Sequence, residues 1–449
     1  MTAALTSGSS IAMQPARWRT GLPVRLPSHR ASSAMLAGAY PFLASAPLDR
    51  GVYVGTDAFT GSAFCFDPWT LYAEGLLTNP NMLLAGVIAQ GKSALAKSLA
   101  VRSIAAGRRV YVPGDPKGEW APVAEAVGGK VIALGPGLAT RLNPLDTGGA
   151  SPEAHEGQPG STVRAGQLRL LSSLAETTLG RDLRASEHTA MDAALTTALR
   201  RSNGRPTVPD VLEALGAPDR DAALADSSTV EGRTDDGRDL AHGLRRLVRG
   251  DLAGLFDGPS TVALDDDATM VVLDLSRLGS HDDALAIAMT CTSAWLEASL
   301  ATGGGQRWII YDEAWRLLRS LPLIRRMQAQ WKLSRAHGIA NLLVLHRLSD
   351  LDAVGATGSE TRALAEGLLA DCSTRVIYRQ ESDQLADASK ALGLTSTERD
   401  LLPALPRGTG LWKVGGRSYV VHHRLHPDEA SVFDTDAAMR GQGGFGGSG

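Results

Sequence analysis

The stretch GVIAQGKSAL, Gly86 to Leu95, spaces two glycines, a lysine and a serine as G-x-x-x-x-G-K-S. Gly86 and Gly91 allow a tight turn in which successive backbone N–H groups point inward, where phosphate oxygens fit. Lys92 supplies a point charge for the β- and γ-phosphates, and Ser93 a hydroxyl for Mg2+. The residues expected to line a nucleotide are Gly86, Val87, Ile88, Ala89, Gln90, Gly91, Lys92, Ser93 and Ala94, with ATP and Mg2+ as ligands. A glycine-rich turn without a ligand is the alternative. The flanks argue against it: NMLLAG (81–86) reads as a buried strand, and Lys92–Gly107 as a helix closed by glycine.

The second pair of chemical residues is in WIIYDEAW. Asp312 ends an apolar strand, where α/β folds place their ligands, and an aspartate there holds Mg2+, usually through water. Glu313, next in the chain, can orient and polarise a water for attack on the γ-phosphate. Two acids stabilising a helix N-terminus are the competing explanation. Several strands separate the two motifs in sequence, so the Asp312 strand is not expected beside the phosphate-loop strand. The strand ANLLVLH (340–346) can lie between them, which would set His346 opposite the γ-phosphate as a polar sensor; a solvated histidine at a strand end is the alternative.

The elements that must position these residues alternate. Strands are expected in 51–68 as a hairpin, at 108–112, 130–134, 269–278, 307–315, 340–346, 373–380 and 408–423, with helices at 283–300 and 321–336. Alternation of this kind implies an α/β fold with a mainly parallel sheet covered on both faces. Residues 148–162 are rich in Gly, Ser and Pro, and from about 163 to 255 the periodicity is helical, which reads as an inserted all-α subdomain. The expected organisation is an arm over 1–50, the first part of the core over 51–148, the insertion over 149–260, the second part of the core over 261–427, and a flexible tail over 428–449.

The chain has 449 residues and a net charge of −3, so its overall balance does not demand nucleic acid as a partner. The first 48 residues carry Arg17, Arg19, Arg25 and Arg30 and no acid, the pattern of a loosely docked arm. No apolar run reaches membrane-spanning length, which points to a cytoplasmic protein, peripheral to a membrane at most. Cys65, Cys291 and Cys372 lie far apart and suit a reducing compartment.

In order, GVIAQGKS, DPKGEW, RLNPLD, GLFDGPS, VVLDLSRL, YDEAWRLL and LLVLHRLSDL resemble the large ATPases of type IV secretion and conjugation systems, in the HerA–FtsK superfamily of ring-forming P-loop motors. The resemblance covers about residues 51–427. It implies a RecA-like core with a helical insertion, an active homo-hexamer, and ATP hydrolysis that drives substrate transfer or channel assembly alongside other components of the apparatus. DNA-pumping coupling proteins of the same superfamily are the nearest rival; the moved substrate, DNA, protein or pilus subunit, is left open by the sequence. A nucleotide-gated assembly component with little turnover is a rival of another class, and the Asp312–Glu313 pair argues against it. Two departures stand out: the large N-terminal domain of the family is reduced to about 50 residues, and His346 stands where many relatives have glutamine.

Ring ATPases take an arginine from the neighbouring subunit to stabilise charge on the transferring phosphate. The resemblance favours Arg335, with Arg375 and Arg379 as alternatives. Asp115, Lys117 and Glu119 of DPKGEW are expected at a strand end near the ATP, behind the residues that touch it. His422, His423 and His426 read as a polar strand end rather than as metal ligands.

Overall fold

The computed structural model describes residues 48–147, 159–265, 267–279, 281–300, 304–318, 320–345, 359–381 and 392–433. His346, most of the N-terminal arm and the core of the Gly/Ser/Pro boundary lie outside the described residues.

An 11-stranded sheet runs through the core in the order β2-β1-β11-β10-β9-β3-β8-β7-β4-β6-β5. Its strands are β1 (Val52–Asp57), β2 (Ala63–Phe66), β3 (Met82–Ala85), β4 (Arg109–Asp115), β5 (Lys130–Ala133), β6 (Met270–Asp274), β7 (Arg307–Tyr311), β8 (Ile339–Leu345), β9 (Thr374–Tyr378), β10 (Thr409–Val414) and β11 (Arg417–His423). From β9 to β5 every neighbouring pair is parallel. β10, β11, β1 and β2 extend the sheet as antiparallel strands from the β9 side. β8 lies between the phosphate-loop strand β3 and the acid-bearing strand β7, as the spacing of the motifs suggests.

The central strands are apolar on both faces because both are covered. Along β3, Met82 and Leu84 join one hydrophobic cluster while Leu83 and Ala85 join the other. The first cluster packs the helix α2 (Lys92–Ala105) through Leu95, Ala96 and Leu99. The second receives α9 (Asp282–Leu300) and α11 (Leu321–Ser334), and it continues into the helices of the insertion.

The insertion contains α4 (Pro159–Leu179), α5 (Ala185–Arg201), α6 (Val208–Gly216), α7 (Arg220–Ala225) and α8 (Val230–Arg249). Its two stems are zipped together. Leu142 N–H donates to the Leu255 carbonyl at 2.9 Å, Asn143 N–H to Ser260 Oγ at 2.8 Å, and Thr261 N–H to the Arg141 carbonyl at 3.0 Å. RLNPLD and FDGPST are therefore the two sides of one doorway.

The assignment of 428–449 as a tail requires a correction. Pro427–Phe433 is a helix, α14. It is fixed because Arg102 of α2 donates to both carboxylate oxygens of Glu429, at 2.7 and 2.6 Å, and Phe433 is buried. Residues 434–449 lie outside the described residues.

Candidate active site

The phosphate loop leaves β3 at Gly86. A β-carbon there would stand 2.5 Å from Tyr378 Cβ, so the loop can pass alongside β9 only as glycine. Val87 N–H donates to the Arg379 carbonyl at 3.1 Å, and the Gln90 carbonyl accepts Gly408 N–H at 2.9 Å. Ala89 and Gly91 take left-handed φ values of 64° and 102°, which curls the loop into a concave nest. Gly91 then caps α2 without any side-chain hydrogen bond. The first N–H groups of a 14-residue helix are thus left to a ligand, and with its dipole they form an anion site. Lys92 is buried, with Nζ donating to the carbonyls of Gly86 at 2.6 Å and Val87 at 2.9 Å, inside the curve where phosphates would bind.

Asp312 and Glu313 follow β7. With β8 interposed, the ends of β7 and β3 are two strand spacings apart, about 10 Å. Ala314 N–H donates to the Val344 carbonyl at 3.3 Å and ties this turn to β8. Asp312 is buried and accepts the Trp120 indole N–H at 2.9 Å. Burial pushes its carboxyl up, the Trp120 hydrogen bond opposes this, and the Glu313 charge adds to it. Glu313 is buried in a left-handed conformation, φ 58°, a strained state for a residue with a β-carbon that is retained only where the surroundings enforce it. The surroundings are identifiable: Lys117 makes an ion pair with its carboxylate, and Trp315 Nε1 donates to Oε2 at 2.6 Å.

Asp115 joins this group from the end of β4. Its carboxylate accepts backbone N–H groups from Lys117 at 3.3 Å, Glu119 at 3.1 Å and Trp120 at 2.7 Å. Burial outweighs those bonds and, with the charges of Asp274 and Asp312, pushes its pKa up to about 6. Lys117 is lowered by burial and raised more by the Glu313 hydrogen bond and by nearby acids, so it stays a cation. Acids thus accumulate at the ends of β4, β6 and β7, with Lys117 among them and Lys97 paired to Glu119 at 3.5 Å.

This donor set fits Mg2+. A hydroxyl from Ser93 and a buried carboxylate from Asp312 are hard oxygen ligands, and Mg2+ commonly takes one or two such groups plus phosphate and water. Among the described residues no cluster of three His, Cys, Asp or Glu forms a cage that would hold a metal without the nucleotide.

The structure gathers the loop residues, Lys92, Ser93, Asp312 and Glu313 at one edge of the sheet, and brings Asp115 and Lys117 into the same group. Arg335 is elsewhere. It precedes β8, at the opposite end of that strand, about 20 Å from the loop edge. Its side chain is exposed, with Nη1 3.5 Å from the Thr78 carbonyl. Arg375 spends its Nη1 and Nη2 on the carbonyls of Leu392 and Ala370. Trp120 and Trp315 are the contacts that sequence reasoning did not assign. Their signal was present as tryptophans beside acids in GEW and DEAW.

No family model and no curated protein sequence matches the chain. Solved structures do. VirB4 of Thermoanaerobacter pseudethanolicus superposes with a TM-score of 0.66 at 22% identity, covering 86% of this chain and 99% of that one. The chain has the VirB4 fold. The plasmid coupling protein TrwB shares it more distantly: its complex with the non-hydrolysable ATP analogue ADPNP gives a TM-score of 0.54 at 14% identity, over 85% of this chain and 96% of TrwB. TrwB with ADP and Mg2+ gives 0.54 at 15% identity. The VirB4 fold accounts for the parallel sheet and the two-faced core as a RecA-like P-loop arrangement. Among the described residues no helix is long and apolar enough to cross a membrane.

Proposed function

We propose that this chain is an ATP-hydrolysing motor subunit of a conjugative or type IV secretion apparatus. The observation that carries the proposal is the placement of an uncapped helix N-terminus and Lys92 two strands from Asp312 and the strained Glu313, on a fold shared with VirB4. In this reading the N–H groups of residues 87–94 and Lys92 hold the β- and γ-phosphates of ATP. Ser93 and Asp312 hold Mg2+, which would neutralise charge on the phosphate oxygens. Glu313 orients the attacking water, with Lys117 and Trp315 fixing its carboxylate. His346 follows β8, whose last residue Leu345 pairs with Ala85, and its proposed part is to sense the γ-phosphate.

Arg335 lies at the wrong end of β8 to serve its own loop, so its proposed role is in a neighbour's site within a homo-hexamer. The proposed setting is the cytoplasm, at the inner face of a membrane through other apparatus components. DNA pumping in the manner of a coupling protein is the second reading, supported by the likeness to TrwB, a bacterial conjugative coupling protein.

The direct test is Mg2+-dependent phosphate release by the purified chain, with Lys92→Ala as control. Turnover in the wild type that disappears together with ATP binding in Lys92→Ala is the expected result. Phosphate release by Lys92→Ala equal to wild type, with an intact fold, would remove the site.

A further inference from the structure

The phosphate loop is flanked on its β9–β10 side by two arginines. Arg379 follows β9, and its carbonyl accepts Val87 N–H at 3.1 Å. Arg407 immediately precedes Gly408, whose N–H donates to the Gln90 carbonyl at 2.9 Å. Gly408 has φ 78°, and a β-carbon on Gly91 would meet its Cα at 3.6 Å, so the two loops run in van der Waals contact. Each arginine is thus fixed, through main-chain hydrogen bonds, next to a residue of the loop itself.

Their side chains are uncommitted. Both are exposed, and among the described residues neither guanidinium has a hydrogen bond or ion pair. Arg375, four residues before Arg379, shows the contrast, with two of its nitrogens bound to carbonyls. The charge arrangement is also lopsided. Asp115, Asp274, Asp312 and Glu313 lie on the β8–β7–β4–β6 side of the loop, and Lys92 is the one cation within residues 86–94. A polyphosphate seated in the loop would lie between that acid group, which holds Lys117 as well, and the chain segments that carry these two arginines.

We infer that Arg379 and Arg407 bind the polyphosphate of a nucleoside di- or triphosphate held in the phosphate loop of the same chain. The inference rests on the nucleotide-binding reading above. A guanidinium is planar, always charged and able to give paired N–H bonds to phosphate oxygens, and a main-chain anchor at its base lowers the cost of ordering it. Arg379 then acts in cis, which removes it from the candidates for an arginine supplied to a neighbour.

The test is isothermal titration of ATP and ADP, each with Mg2+, into wild type, Arg379→Ala, Arg407→Ala, the double variant and Lys92→Ala, with steady-state hydrolysis alongside. Each single alanine should weaken ATP and ADP about tenfold, the size of one charge-assisted hydrogen bond, and the double variant more. KM should rise more than kcat falls, the salt dependence of binding should flatten, and lysine in place of either arginine should recover part of the affinity. Wild-type affinity in the double variant while Lys92→Ala loses binding overturns this inference and leaves the nucleotide site standing. A fall in kcat with unchanged affinity also overturns it, since that is the signature of an arginine acting on a neighbour. Absence of nucleotide binding in the wild type overturns both readings together.

Discussion

Lys117 and Glu313 form an ion pair between the turn after β4 and the turn after β7, although they lie 196 positions apart in sequence. The glutamate is buried and the lysine half-exposed, so the pair reaches from the acid group to the solvent edge of the site. The pair sets the direction of the Glu313 carboxylate, and Trp315 holds the second oxygen.

Glu313→Gln is expected to keep ATP affinity and slow hydrolysis by about 100- to 10,000-fold, the usual contribution of a positioned base. Lys117→Met should slow hydrolysis by a smaller factor, because it releases the carboxylate without removing it. The double variant should be no slower than Glu313→Gln alone, since residues acting as a unit are not additive. Turnover and nucleotide binding measured on the same preparations decide this; additive losses would separate Lys117 from Glu313.

Gly86→Ala probes the loop's exit from β3. The added carbon would stand 2.5 Å from Tyr378 Cβ, so the loop must move off β9. Overpacking of this kind costs about 1–3 kcal/mol, read as a lower melting temperature, and nucleotide affinity should fall with it. Unchanged affinity would mean that the loop can shift without losing its phosphate-binding shape.

Arg335→Ala should bind ATP normally and hydrolyse poorly only where subunits assemble. Mixed with Glu313→Gln, it should regain activity, because some interfaces then carry an intact glutamate on one side and an intact arginine on the other. Rescue should increase with protein concentration. Co-assembly shown by sedimentation, without rescue, would exclude Arg335 as an arginine acting in trans.

Glu187 tests how the insertion is held. It is buried on α5 and accepts from the Arg181 guanidinium at 2.7 and 2.8 Å and from Arg184 through both side chain and backbone, at 2.9 and 2.7 Å. Arg181 chiefly holds its carboxyl far below the usual value of 4.5, with burial opposing and Arg184 assisting. The folded pKa lies below the unfolded one, so the stabilisation is complete above about pH 4.5 and is lost as pH falls toward the folded value. Glu187→Gln should destabilise by about 2 kcal/mol at neutral pH. The difference from wild type in urea unfolding should shrink on acidification below that range; a constant gap would rule out the ionised contacts as its source.

The local chemistry was readable from the chain. G-x-x-x-x-G-K-S between an apolar run and a helical run specifies the loop, because glycine at 86 and 91 and the bare start of α2 are consequences of neighbouring residues. Apolar runs such as MLLA and IANLLVL announce buried parallel strands, because a strand covered on both faces has no polar side to show. The zipped stems of the insertion follow less directly, from polar motifs whose partners lie more than a hundred residues away.

Only the tertiary structure decided which acids and cations meet. The sheet order puts β8 between β3 and β7 and β4 beside β7, and this brings Lys117 to Glu313 and Trp120 to Asp312. It also sends Arg335 to the far end of β8 and sets Arg379 and Arg407 against the loop. The physical reason is that a parallel strand carries its neighbours' C-terminal ends to one edge, whatever their separation in sequence. Pairing across that edge depends on strand order, which no spacing within a single motif encodes.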